Sequence, residues 1–266
     1  MLRQDNYETM RIDRRDDGIA VVTLNRPERL NAVNGRMHAE LATFSRDFAN
    51  DREMRVLVLT GEGRAFSAGG DFGPGDAIGS NPEGPTMMVE ARQIVDHILE
   101  CEKPMIAAVN GYAMGLGANV ALLCDVVVAG SSAVFADTHV NMGIGAGDGG
   151  QLIWPHLIGV NKAKYYLMTG DRLTGAEAED LGLVNFLVGD DADVLPRAVE
   201  IADRLAAGPP RAIAASKMAI NAYLRAVSSV VMPISLAYED LSMRTEDHKE
   251  AVRAFQEKRP PRFTGK

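Results

Sequence analysis

Apolar and polar positions follow two different periods along the chain, and the change between them divides it. From residue 19 to about 188, short apolar runs recur: Ile19-Ala20-Val21-Val22-Thr23-Leu24, Arg55-Val56-Leu57-Val58-Leu59-Thr60, Pro104-Met105-Ile106-Ala107-Ala108-Val109 and Asp125-Val126-Val127-Val128-Ala129. Their length and β-branched content predict strands. Between them the spacing changes to that of helices. Asn34 is placed to cap a helix whose Met37, Leu41, Phe44 and Phe48 share one face. A second predicted helix carries Met88, Ala91, Ile94, Val95 and Ile98 on one side, and a third follows Gly117 with Val120-Ala121-Leu122-Leu123. This rhythm predicts an α/β fold with crossover connections. Beyond Asp193 only helical spacing remains, with helices expected at 196–207, 210–224, 230–242 and 246–255. The expected division is a core over 1–194 and a helical region over 195–266 that packs on a neighbouring subunit. Residues 72–85, rich in Gly, Pro, Ser and Asn, predict a mobile loop.

Two glycine-rich turns follow predicted strands: Arg64-Ala65-Phe66-Ser67-Ala68-Gly69-Gly70-Asp71 and Asn110-Gly111-Tyr112-Ala113-Met114-Gly115-Leu116-Gly117-Ala118-Asn119. Such turns let backbone N–H groups point at a ligand, and a helix start adds a field favourable to negative charge. Two of them can aim two donors at one oxygen, the requirement of an oxyanion hole.

Composition narrows the function classes. With 46% hydrophobic and 24% charged residues, the 266-residue chain is an ordinary globular one. A net charge of −8 disfavours a broad nucleic-acid surface. No run is read as long and apolar enough to span a membrane, and residues 1–17 do not resemble a secretory signal. The two cysteines, Cys101 and Cys124, are expected as buried thiols in a reducing compartment, hence a cytoplasmic protein. The histidines and cysteines show no metal-ligand spacing, so no metal is expected. His38, His97 and His248 read as surface groups, His156 as packed or surface, and Tyr112 as core.

These motifs together resemble the crotonase superfamily, the enoyl-CoA hydratase/isomerase family. The resemblance rests on Leu24-Asn25-Arg26-Pro27, Asn31-Ala32-Val33, both glycine turns, the 125–129 strand, Leu173-Thr174-Gly175-Ala176-Glu177-Ala178, Gly182-Leu183-Val184-Asn185 and the ending from Phe255 to Lys266. It implies an α/β, crotonase-like spiral of ββα units with a C-terminal helical trimerisation region, assembled as a homotrimer or dimer of trimers. It also implies an acyl-CoA thioester as small-molecule substrate, with coenzyme A as part of that substrate and no permanent cofactor. The matched positions imply that Gly70 and Leu116 supply the oxyanion-hole amides. They also place Arg26, Arg64, Ala68, Gly69, Asp71, Phe72, Tyr112, Gly115, Phe263 and Lys266 at the substrate or CoA. Asp71 is read in addition as the side chain that fixes its turn.

The resemblance breaks at the acid–base positions. Hydratases of the family use two glutamates, and the matched positions here hold Asn119 and His139. An amide can hold a water but cannot exchange a proton, whereas an imidazole can. Asp148 lies nine residues after His139, within a stretch that resembles a branch hydrolysing cyclic β-diketones. His139, Asp148 and Asn119 are therefore the catalytic candidates, with a helix N-cap as the alternative role for Asp148. Three functions stay open: an enoyl-CoA hydratase or isomerase, a CoA-thioester or β-diketone hydrolase using the His/Asp pair, and a CoA-binding homologue without catalysis.

Overall fold

The structure is a computed structural model and describes residues 1–73, 78 and 86–266. Most of the predicted 72–85 loop therefore lies outside the described residues. β1 (Met10–Arg14) and β2 (Ile19–Leu24) pair antiparallel, and α1 (Gly35–Ala49) follows. Three ββα units come next. The first is β3 (Val56–Gly61), β4 (Ala65–Ser67) and α2 (Met87–Glu100). The second is β5 (Met105–Val109), β6 (Tyr112–Met114) and α3 (Leu116–Leu123). The third is β7 (Val126–Gly130), β8 (Val134–Ala136) and α4 (Gly150–Ile158). The chain then runs through α5 (Val160–Thr169), β9 (Leu173–Thr174), α6 (Gly175–Leu181), β10 (Phe186–Val188), α7 (Val194–Ala206), α8 (Pro210–Met243) and α9 (Glu246–Gln256).

The leading strand of each unit enters a sheet of order β1-β2-β3-β5-β7-β10, and the trailing strand enters a second sheet of order β4-β6-β8-β9. Pairing is parallel except for β1 with β2 and β8 with β9. The inner strands β2, β3, β5 and β7 of the large sheet are buried on both faces, which is why they read as unbroken apolar runs. Ile19, Val21, Val56, Val58, Ile106, Ala108 and Val128 face α7, whose Val194, Ala198, Ala202 and Ala206 cover them. The alternate residues Ala20, Val22, Leu57, Leu59, Ala107 and Val109 enter the main core with Phe44 and Phe48 of α1 and Ile94 and Ile98 of α2. Asn34 caps α1 as expected, its side chain accepting from the Met37 N–H at 2.9 Å.

Four expectations change. The short strands β4 and β6 lie inside stretches read only as turns, because two or three residues carry no readable alternation. α7, expected in the helical region apart from the core, packs one face on the large sheet of its own chain. The helices expected at 210–224 and 230–242 are one 34-residue helix, α8. Ser228, Ser229 and the flanking valines lower local propensity, and Pro233 lacks an N–H. Packing along α2 and α4 nevertheless carries the helix through. As one helix it is long and apolar enough to cross a membrane by length and composition, with an 18-residue window of mean hydropathy 1.3. Polar ties bind it to the body instead: Asn221 donates to the Leu99 carbonyl, Lys217 pairs with Asp125, and Ser235 donates to Gln151.

Candidate active site

The two glycine turns meet. A Cβ on Gly69 would lie 2.9 Å from the Met114 carbonyl oxygen and 3.7 Å from the Gly115 Cα. Both residues have positive φ, +86° and +51°, which favours glycine independently of the contact. Val33 fixes the first turn: it donates to the Gly69 carbonyl at 2.7 Å and accepts from the Asp71 N–H at 2.9 Å. The Gly70 N–H between them therefore turns to the other side, as alternate groups on an extended segment do. Leu116 opens α3, so its N–H has no acceptor within the helix. Among the described residues neither amide has an intramolecular acceptor, and Gly70 and Leu116 line one cleft.

A ring of four polar side chains stands at the inner end of that cleft, His139 and Asp148 lining it and Asp137 and Asn119 buried behind them. The His139 ring lies between two carboxylates, with Nδ1 2.5 Å from Asp137 Oδ1 and Nε2 2.9 Å from Asp148 Oδ2. The Asn119 amide closes the ring, donating to Asp137 Oδ2 at 3.0 Å and Asp148 Oδ1 at 2.7 Å. Its own oxygen accepts from the Trp154 indole at 3.0 Å. Every polar function of Asn119 is thus used, and the side chain is fully buried. The expectation that this amide holds a water is corrected: Asn119 bridges two carboxylates, donating one N–H to each. Asp148 does not cap α4, whose N-cap is Gly149 without a side-chain bond.

Burial alone would lower the His139 pKa, but the charges of Asp148 and Asp137 and their hydrogen bonds raise it well above the usual 6.5. Both ring nitrogens then donate, and the ring is an imidazolium. Burial opposes ionisation of Asp137, yet His139 and Asn119 hold its pKa below the ordinary value. A further acid, Glu239, arrives from α8 and was not anticipated. It lines the cleft, is 3% exposed, and its Oε2 lacks a hydrogen-bond partner. Burial, then the charge of Asp148, pushes its pKa up to about 8. His139, Asp148 and Glu239 bring one ligand atom each within 4.8 Å of one another, a donor set that could hold a cation. An imidazolium with both nitrogens committed to carboxylates opposes a metal, so the cluster is better suited to moving protons.

The remaining candidates separate clearly. Phe72 and Gly115 line the cleft with Gly70 and Leu116. Asp71 fixes its turn, accepting from the Gly73 N–H at 2.9 Å and pairing with Arg26 at 3.1 Å. Arg26 also donates to the Ala32 carbonyl, so it braces this turn. Ala68, Gly69, Arg64, Tyr112, Phe263 and Lys266 are not brought to the cleft wall. Arg64 and Phe263 are exposed, and the Lys266 carbonyl accepts from the α9 N-terminus. Tyr112, expected in the core, is 37% exposed at the start of β6.

The surface reading of three histidines also fails. His38 is buried against Glu90, His97 bonds the Ala42 carbonyl, and His248 bonds the Met142 carbonyl and meets the Phe72 ring edge-on. His156 is packed, bonding the Leu152 carbonyl. Cys101 and Cys124 are buried free thiols.

A profile of the enoyl-CoA hydratase/isomerase family matches residues 14–266. The chain belongs to this family. It is 38% identical over 265 residues to a probable enoyl-CoA hydratase of Rhodobacter capsulatus, covering 98% of this chain and 100% of that protein. A 1,2-epoxyphenylacetyl-CoA isomerase of Escherichia coli is 35% identical over 257 residues, with 94% and 97% covered. A solved β-diketone hydrolase from Anabaena sp. superposes with a TM-score of 0.80 at 30% identity, over 90% of this chain and 95% of that one. Such relatives are named hydratase, isomerase and β-diketone hydrolase, so the family alone does not select the reaction.

Proposed function

We propose that this protein is an acyl-CoA-processing enzyme of the enoyl-CoA hydratase/isomerase type. The carrying observation is the pair of amides without internal acceptors, Gly70 and Leu116, on one cleft with an acid–base cluster. In this reading the two N–H groups bind the thioester oxygen and stabilise the enolate that develops there. Loss of one such donor typically costs about 3 kcal/mol in the transition state.

Asp148 and Glu239 divide the proton work. Both Asp148 oxygens accept N–H bonds, the arrangement of a carboxylate, and it lines the cleft. Glu239, raised to about 8, keeps its proton near neutrality. A hydrogen-bonded carboxylate beside a carboxyl group that keeps its proton suits a base and an acid. Asp148 takes the proton, from the acyl chain in isomerisation or from water in hydration, and Glu239 returns one to the enolate. His139 stays charged and positions Asp148. Asn119 has no direct contact with substrate. Water has about 30 Å³ of the cleft open to it, room for a water molecule but not an acyl chain. Met87, Met142 and Met243 line it, and their flexible side chains are suited to making way for that chain. The cleft needs no permanent cofactor. We infer a homotrimer or dimer of trimers from the family resemblance, and the exposed apolar stripe of Ile220, Tyr223, Val230, Ile234, Tyr238 and Leu241 along α8 supports an interface with another copy.

A second reading, hydrolysis of a thioester or β-diketone, is favoured by the direct Asp148–His139 contact at 2.9 Å. The test mixes the protein with crotonyl-CoA and longer and branched enoyl-CoAs, follows the conjugated-thioester absorbance and identifies products by mass spectrometry. Addition of water or a moved double bond supports the first reading. Free thiol or a cleaved carbon skeleton supports the second, and no reaction with any acyl-CoA contradicts the first.

A further inference from the structure

A second imidazole–carboxylate pair lies against the same cleft, on different elements. His38 comes from α1 and Glu90 from α2, with His38 Nδ1 2.6 Å from Glu90 Oε2. Both side chains are buried. The carboxylate oxygen accepts, so Nδ1 carries a proton and Nε2 is the ring atom left over. No described group bonds Nε2, and Glu90 Oε1 is buried without a partner. His38 lines the cleft, whose wall also includes the apolar side chains of Phe72, Ile78, Met87 and Ala91. No hydrogen bond among the described residues links this pair to the Asp148–His139–Glu239 cluster.

A tie between two helices does not call for this chemistry. α1 and α2 already meet through apolar side chains, and a buried charged pair loses more hydration than an apolar pair of similar size. A pocket for a plain hydrocarbon chain gains nothing from an imidazole edge. We propose that His38, oriented by Glu90, binds a second oxygen on the acyl group, so that the substrates are acyl-CoA thioesters carrying a hydroxyl or ketone beyond the reacting carbons. The inference rests on the acyl-CoA reading above and narrows its substrate class. A hydroxyl serves Nε2 in either protonation state, donating to its lone pair or accepting from its N–H, whereas a ketone only accepts. A site built to hydrogen-bond a substrate oxygen discriminates strongly against the analogue lacking it.

The test measures affinity without requiring turnover. Hexanoyl-CoA, 5-oxohexanoyl-CoA and 6-hydroxyhexanoyl-CoA, none with a double bond to hydrate or shift, are titrated calorimetrically into the full-length protein. At least one oxygenated thioester is expected to bind about tenfold or more tightly than hexanoyl-CoA. The preference should fall to within about twofold in His38→Leu and survive in part in His38→Gln, which keeps a polar end. Should His38→Leu not fold, Glu90→Gln must still lower the preference, because it withdraws the charge that orients the ring. Equal affinity for all three thioesters in the unmodified protein overturns the inference and leaves the acyl-CoA reading standing. An unchanged preference in His38→Leu, with only a lower melting temperature, also overturns it and makes the pair a structural tie. Binding of none of the three removes the acyl-CoA reading and this inference together.

Discussion

One wall of the cleft is main chain and the other is side chain. Gly70 and Leu116 present backbone N–H groups held by the Val33 pairing and by the close approach of Gly69 to Gly115. Beside them, His139, Asp148 and Glu239 line the cleft and, with the buried Asn119 and Asp137, form a polar network drawn from α3, the segment after β8, the approach to α4, and α8. The first wall is set by local conformation and tolerates a change of side chain, as Leu116 in a glycine-rich turn illustrates. The second depends on each member's protonation state, and one substitution reaches all of them. A substitution in the first wall should therefore change transition-state stabilisation, whereas one in the second should change acid–base behaviour and stability together.

The largest effect is expected at the side-chain wall. Asp148→Asn should lower kcat by up to about 10⁴-fold, the upper range for a positioned acid–base group, with acyl-CoA affinity nearly unchanged. Steady-state kinetics beside calorimetric binding checks this, and a matching loss of affinity would blur the division between the walls. Next comes the main-chain wall. Gly69→Ala forces a Cβ to within 2.9 Å of the Met114 carbonyl in a positive-φ conformation. It should cost about 10²–10³ in kcat, the range for a lost oxyanion donor, with an unchanged pH profile. A shifted pH profile there would mean that the two walls are not independent.

Asn119→Leu removes both donors that separate the buried carboxylates and should cost about 3 kcal/mol of stability in urea unfolding. The smallest effect is expected for Glu239→Gln, about 10²-fold in kcat, the lower end of the range for an acid–base group, but its pH signature is specific. Glu239 acts protonated, so activity of the unmodified enzyme should decline as pH rises through about 8. Its folded-state pKa is raised above the ordinary 4.5, so its contribution to stability is complete below that value and is lost as pH rises through about 8. Thermal unfolding from pH 5 to 9 should show this loss in the unmodified protein and a flatter curve in Glu239→Gln.

The same division governs what could be read from sequence. The glycine turns, the Asn34 cap and the strands of the large sheet were legible because each rests on neighbouring residues or unbroken apolar runs. His139 and Asp148 were legible through a family resemblance and a short spacing. Asp137 is not legible in this way, because no neighbouring residue or spacing marks its bond to the His139 ring. Glu239 was hidden in a predicted helix, although the signal existed: with Met232, Ser235 and Leu236 it lies on the buried face of α8, where an unpaired acid is out of place. Arg26 and Arg64 sit inside matched motifs, but one is turned into its own loop and the other outward. Motif membership fixes a backbone position and not the partner of a long side chain.

The central claim is that the Gly70 and Leu116 amides together polarise a thioester carbonyl. The infrared C=O stretch of a bound, unreactive acyl-CoA labelled with carbon-13 at that carbonyl tests it most directly. The account predicts a band moved to lower frequency than in water, with the shift reduced in Gly69→Ala. A bound thioester whose carbonyl band matches that of the free ligand would contradict it.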